Sequence, residues 1–114
     1  VVFDTIVNDQ STNISYNTAT GEFTITQTGN YYVAWWVTTD GSEGPVNLAF
    51  AIQVNGANSV IGNAPVVTGQ INGSALITIP VASAVITLVN ESGALVAFAT
   101  TAVQADIVII EINA

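Results

Sequence analysis

The chain contains no lysine, arginine, histidine, cysteine or methionine in its 114 residues. Each absence closes a class of chemistry. Without histidine or cysteine there is no Ser-His-Asp or Cys-His nucleophile, and the nitrogen and sulfur ligands that tetrahedral zinc favours are missing. Without lysine or arginine there is neither a P-loop lysine nor a bidentate clamp for phosphate or carboxylate. Eight aspartates and glutamates leave a net charge of −8. Nucleic acid is therefore excluded as a partner, because phosphate binding runs on basic side chains. An anionic membrane surface repels the chain for the same reason. Three options stay open: acid–base chemistry between carboxylates, calcium binding through oxygen, and recognition through apolar, hydroxyl or amide groups.

Long apolar runs are lacking too. The stretch from Ala75 to Val89 is cut by Thr78, Pro80, Ser83 and Thr87, whereas a membrane-spanning helix needs roughly 20 apolar residues. No membrane insertion is expected. No basic-then-apolar leader opens the chain, so it is expected to start inside a longer protein or after processing. Charged residues make up 7% and hydrophobic residues 50%, against roughly 25% charged in typical soluble domains. Such a balance excludes disorder. The length suits one domain, residues 1–114, able to bury a core without disulfides or metal. Solubility then rests on the eight acids and on abundant Thr, Ser, Asn and Gln, with part of the apolar surface covered by other subunits.

What is present reads as all-β. Valine, isoleucine, threonine and aromatics dominate, and turn residues recur at short spacing, the pattern of a sandwich or barrel. Strands are predicted near Val2–Val7, Ile14–Tyr16, Glu22–Thr28, Asn30–Thr39, Val46–Val54, Val60–Val66, Ser74–Pro80, Ala84–Asn90, Ala94–Thr101 and Ala105–Asn113. Turns are expected at Asn17–Gly21, Asp40–Pro45, Asn55–Asn58, Gln70–Gly73 and Glu91–Gly93, where Gly, Asn, Asp and Ser gather. Asn55-Gly56 directly after Val54 is a strong hairpin signal.

Two kinds of strand follow from the patterning. Leu48, Phe50, Ile52 and Val54 alternate with Ala49, Ala51 and Gln53, which places one face in a core. Tyr31–Val37, Val85–Val89 and Ile107–Ile110 are apolar on both faces. Outer faces of an antiparallel sandwich meet water, so these strands call for a second cover. No long helix is available to supply it, and a subunit interface is the expected cover.

The segment Glu22-Phe-Thr-Ile-Thr-Gln-Thr-Gly-Asn-Tyr31 resembles the hallmark of C1q/tumour-necrosis-factor-like domains. Together with Ala51-Ile-Gln-Val-Asn-Gly56, the apolar Ala84–Val89 and the closing Ala105-Asp-Ile-Val-Ile-Ile-Glu-Ile112, it resembles the C-terminal domains of collagen-like exosporium glycoproteins of bacterial spores, the BclA group. The resemblance implies an antiparallel jelly-roll sandwich assembled as a homotrimer. It further implies an extracellular position at the distal tip of a filament on the spore surface. There the domain would hold three chains in register so that their collagen-like stalk can wind, and would meet host surface or matrix components. A departure from the wider C1q group is the complete lack of basic residues, so ligand recognition by a basic patch is not carried over.

Candidate sites are few. A glycosidase needs two acids roughly 5 to 10 Å apart across a cleft. Glu22, Asp40, Glu43 and Glu91 all fall in or beside predicted turns, where acids solvate a surface, so no enzyme is expected. Asp40 and Glu43, two acids three positions apart around a glycine, are the candidate oxygen ligands for calcium, although the EF-hand pattern is absent. On a strand, Tyr31, Val33, Trp35 and Val37 share one face and Tyr32, Ala34, Trp36 and Thr38 the other. The first set is assigned to the core. From the second set Tyr32 and Trp36 are assigned to the trimer interface, with Ile107 and Ile109 from the last strand. The alternative reading of Tyr32 and Trp36 is the aromatic face of a monomeric carbohydrate-binding adhesin module. The sequons at Asn13, Asn72 and Asn90 are read as chance matches in a chain rich in Asn, Ser and Thr.

Overall fold

A computed structural model describes residues 1–7, 9, 12–40, 48–64, 69–92, 97–98 and 103–112. Nine strands are formed among them: β1 (Ile14–Asn17), β2 (Glu22–Ile25), β3 (Gly29–Asp40), β4 (Leu48–Val54), β5 (Ala57–Ala64), β6 (Gly69–Ile79), β7 (Ala84–Asn90), β8 (Ala97–Phe98) and β9 (Ala105–Ile112). No helix occurs among the described residues. The strands make two antiparallel sheets, one in the order β1-β2-β7-β4-β5 and the other β6-β3-β8, with β9 also paired to β3. The chain is therefore all-β and sandwich-like.

The core lies between the sheets. From the first come Ile25, Leu48, Phe50, Ile52, Ile86 and Leu88, and from the second Tyr31, Val33, Trp35, Val37, Ile71, Ile77 and Ile79, all buried. These positions recur every second residue, as pleated strands require. At about 25 cal/mol per Å² of apolar surface removed from water, this double row is what holds two sheets without disulfides together. The assignment of Tyr31, Val33, Trp35 and Val37 to the core is borne out, and Trp35 is only 3% exposed.

The β4–β5 hairpin follows its turn chemistry. Val54 pairs with Ala57 across Asn55 and Gly56, whose φ angles are +51° and +84°. Two positive φ values suit a two-residue loop whose twist matches the strands. Asn55 reinforces it by exchanging bonds with Val85: its backbone N–H donates to the Val85 carbonyl at 2.8 Å, and its Oδ1 accepts from the Val85 N–H at 2.9 Å.

Two expectations fail. Val2–Val7 is not a strand. The segment is instead tied down at Phe3, whose N–H donates to the Tyr16 hydroxyl at 2.5 Å while that hydroxyl donates to the Phe3 carbonyl at 2.7 Å. The Phe3 ring packs against Tyr16 and Phe23, which stack at 4.2 Å. Side-chain capture thus takes the backbone groups that a ladder would have used. The turn expected at Gln70–Gly73 is also absent, because β6 runs unbroken there, each residue paired with β3. Eleven registered pairs outweigh the local preference of Asn72-Gly73 for a turn. Of the strand expected at 94–101, only 97–98 lies within the described residues.

The two sides of the sandwich differ. Along one side β5 and β6 approach closely, with the Trp35 indole wedged between Gly62 and Gly73. Along the other an open cleft of about 1090 Å³ separates the N-terminal segment and β1 from β9.

Candidate functional site

The register of the second sheet fixes what its outward face carries. β3 lies between β6 and β9, and its residues of even number point away from the core. Tyr32 is flanked by Leu76 and Ile110, Ala34 by Ser74 and Val108, and Trp36 by Asn72 and Asp106. At the near end Asn30 stands between Thr78 and Ile112, and the Thr78 hydroxyl donates to Asn30 Oδ1 at 2.8 Å. Leu76 is 71% exposed, Ile110 51% and Val108 45%. Directly opposed side chains in such ladders sit about 5 Å apart. Leu76, Tyr32 and Ile110 therefore form a continuous apolar bar across three strands, continued by Val108 and Ile112.

The four residues assigned to an interface from the sequence do not share this face. Tyr32 and Trp36 are on it, Tyr32 exposed and Trp36 half-buried. Ile107 and Ile109 oppose Trp35 and Val33 and pack, half-buried, against the core. The residues of β9 that continue the Tyr32 face are Val108 and Ile110. Periodicity could not decide between them: β9 is apolar at both parities, and its acids, Asp106 and Glu111, fall one on each side. Only the pairing to β3 resolves which face is which. Leu76, by contrast, left a readable signal. Along β6, Gln70, Asn72, Ser74, Leu76 and Thr78 alternate with Ile71, Gly73, Ala75, Ile77 and Ile79, and Leu76 is the large apolar residue in the polar series.

Asp40 ends β3 and is exposed, while Glu43 lies outside the described residues. Among the described residues no three acidic side chains gather in a way that could hold a metal ion. Acids of the open cleft are separately engaged or dispersed: Glu111 accepts from Asn13 Nδ2 at 2.9 Å and 3.2 Å, and Asp4 accepts from the Thr5 hydroxyl at 2.9 Å.

Titration is perturbed at two phenols. Burial pushes Tyr31 above the ordinary tyrosine value, and the charge of Glu111 pushes the same way; the Tyr31 hydroxyl donates to the Gln27 carbonyl at 2.6 Å. Tyr16 is also raised by burial, with the backbone bond to Phe3 opposing and Asp4 assisting. Neither phenol lies on the outward face, so these shifts belong to packing rather than to a reactive centre.

No protein-family model matches the sequence, and no curated protein is significantly similar to it.

Proposed function

We propose that this chain is a non-catalytic trimerisation and recognition head, the jelly-roll cap of a collagen-like glycoprotein on the spore surface. The observation that carries the reading is the Leu76–Tyr32–Ile110 bar. Contiguous apolar surface of this kind, with a large aromatic at its centre, anchors obligate interfaces. The strand orders β1-β2-β7-β4-β5 and β6-β3-β9 support the jelly-roll part. In them β1–β2 and β4–β5 pair as neighbours within one sheet, while β2→β3, β3→β4, β5→β6 and β6→β7 cross between sheets, as nested Greek keys do. The sequence resemblance supplies the collagen-like and exosporium context.

In this reading three copies meet through the outward face of the second sheet, Tyr32 near the centre and Trp36 at the polar margin. Fixing three chains side by side shortens the search for register, so a stalk attached to them can wind. Light scattering on the purified chain tests it. The expected mass is three times the 11.7 kDa of one chain, with little monomer at micromolar concentration. A monomeric mass throughout that range removes the proposal.

A further inference from the structure

The polar margin of the outward face carries an arrangement that the apolar bar does not use. Trp36 is opposed by Asn72 on β6 and by Asp106 on β9, so the side chains bearing an amide and a carboxylate leave the sheet with their Cβ atoms about 5 Å to either side of that of Trp36. Trp36 and Asp106 are half-buried and Asn72 is exposed. The next row inward is Ser74, Ala34 and Val108, small beside Trp36 on β3 and β6, with the one larger side chain on β9. Four residues of strand, about 13 Å, separate Trp36 from Tyr32. No basic side chain exists anywhere in the chain to pair with Asp106.

We propose that Trp36 and Asp106 form a recognition site for an arginine side chain of a basic partner protein. A guanidinium lies flat on an indole face through cation–π attraction, and its fork of N–H donors pairs with a carboxylate in two parallel bonds. The amide oxygen of Asn72 accepts a further donor. Lysine, a hydrated point charge, gains the attraction without the stacking or the fork. The net charge of −8 draws basic partners from a distance and raises their encounter rate. A neutral sugar could use the same indole but gains nothing from that charge. The site does not depend on the trimer reading, since it needs only that this margin be reachable.

The test uses the intact chain in its native assembly, with a nona-arginine peptide as probe. Two measurements are made: calorimetric affinity and acrylamide quenching of tryptophan fluorescence. Trp35 is 3% exposed, so quenchable emission reports Trp36. The peptide is expected to shield that emission and to bind more weakly as salt rises. Trp36→Leu and Asp106→Asn should each weaken binding by about tenfold, and nona-lysine should bind less tightly than nona-arginine. Glu22→Gln, which removes an acid from the other sheet, should leave binding unchanged. Asp106→Asn is nearly isosteric and carries the test if Trp36→Leu fails to fold. Four results overturn the proposal. Equal losses in Asp106→Asn and Glu22→Gln mean diffuse charge attraction. Equal affinity for nona-lysine removes the guanidinium. Emission inaccessible to acrylamide before peptide is added means that the assembly covers Trp36. Trp36-dependent binding of cellohexaose, with none of nona-arginine, assigns the indole to a neutral sugar.

Discussion

The Trp35 indole lies directly over Gly73: a methyl group built on that glycine would sit 2.7 Å from Cζ2 of the ring. Gly62, on β5, meets the same ring from the other side, its added methyl 2.9 Å from Cζ2. Neither contact can relax by swinging a flexible chain end, because the ring is buried among core residues. Gly73→Ala and Gly62→Ala are each expected to destabilise the fold by about 1–3 kcal/mol through overpacking. Urea unfolding measures this directly. Combining Gly73→Ala with Trp35→Phe should recover part of the loss, a non-additivity expected of residues in contact; simple addition would place the strain elsewhere.

The β4–β5 turn separates two contributions at one residue. Asn55→Ala puts an ordinary side chain at φ +51° and removes the acceptor for Val85 N–H, for an expected cost of about 2 kcal/mol. Asn55→Gly restores backbone freedom and loses only the hydrogen bond, so it should cost less. The order of the two midpoints in denaturant checks the account.

Alkaline stability should follow the buried phenols. The folded state raises the pKa of Tyr31 and Tyr16 above 10.0, so it holds those protons more tightly than the unfolded chain does. Their contribution is complete below about pH 10 and is lost as pH rises through the folded values. Urea midpoints at about pH 8 and about pH 11 should show the fall, and Tyr31→Phe should lessen it. At neutral pH the same substitution should cost about 1 kcal/mol for the bond to Gln27.

Assembly should respond to charge placed on the apolar bar. Leu76→Arg or Ile110→Arg buries a cation without a counter-charge if copies pack there, and the expected result is dissociation to monomer with the fold retained. Glu43→Ala should leave the mass unchanged. Light scattering with circular dichroism distinguishes loss of assembly from loss of fold.

Salt should stabilise modestly. With every formal side-chain charge negative, repulsion is screened over about 10 Å at 0.1 M salt, and Tm should rise with sodium chloride. A further rise specific to calcium at matched ionic strength would point to oxygen ligands around Asp40.

Much of the fold was legible because alternation in β4 is clean and the Asn55-Gly56 turn is chemically specific. Period-two reasoning assigned Tyr31 and Trp35 inward and Tyr32 and Trp36 outward without knowledge of pairing. It failed where the pattern was degenerate: β9 is apolar at both parities, so Ile107 and Ile109 were indistinguishable from Val108 and Ile110 until β3 set the register. Val2–Val7 reads as a strand for another reason. A β-branched run looks alike whether its backbone joins a ladder or is held by one aromatic hydroxyl, and the capturing partner, Tyr16, is a non-local choice. Turn chemistry at Asn72-Gly73 misled because Gly73 is needed for its missing side chain, beneath Trp35, and not for a bend.

A sandwich fastened along one long side and parted along the other is built like a bound book. Trp35 is the binding, stitched between two glycines, and the leaves part at β1 and β9. Opening between the sheets is expected to begin at β1 and β9 and to swing from that spine. The amides of the N-terminal segment, which joins no ladder, are expected to exchange with solvent before those where β3 meets β6 and β9.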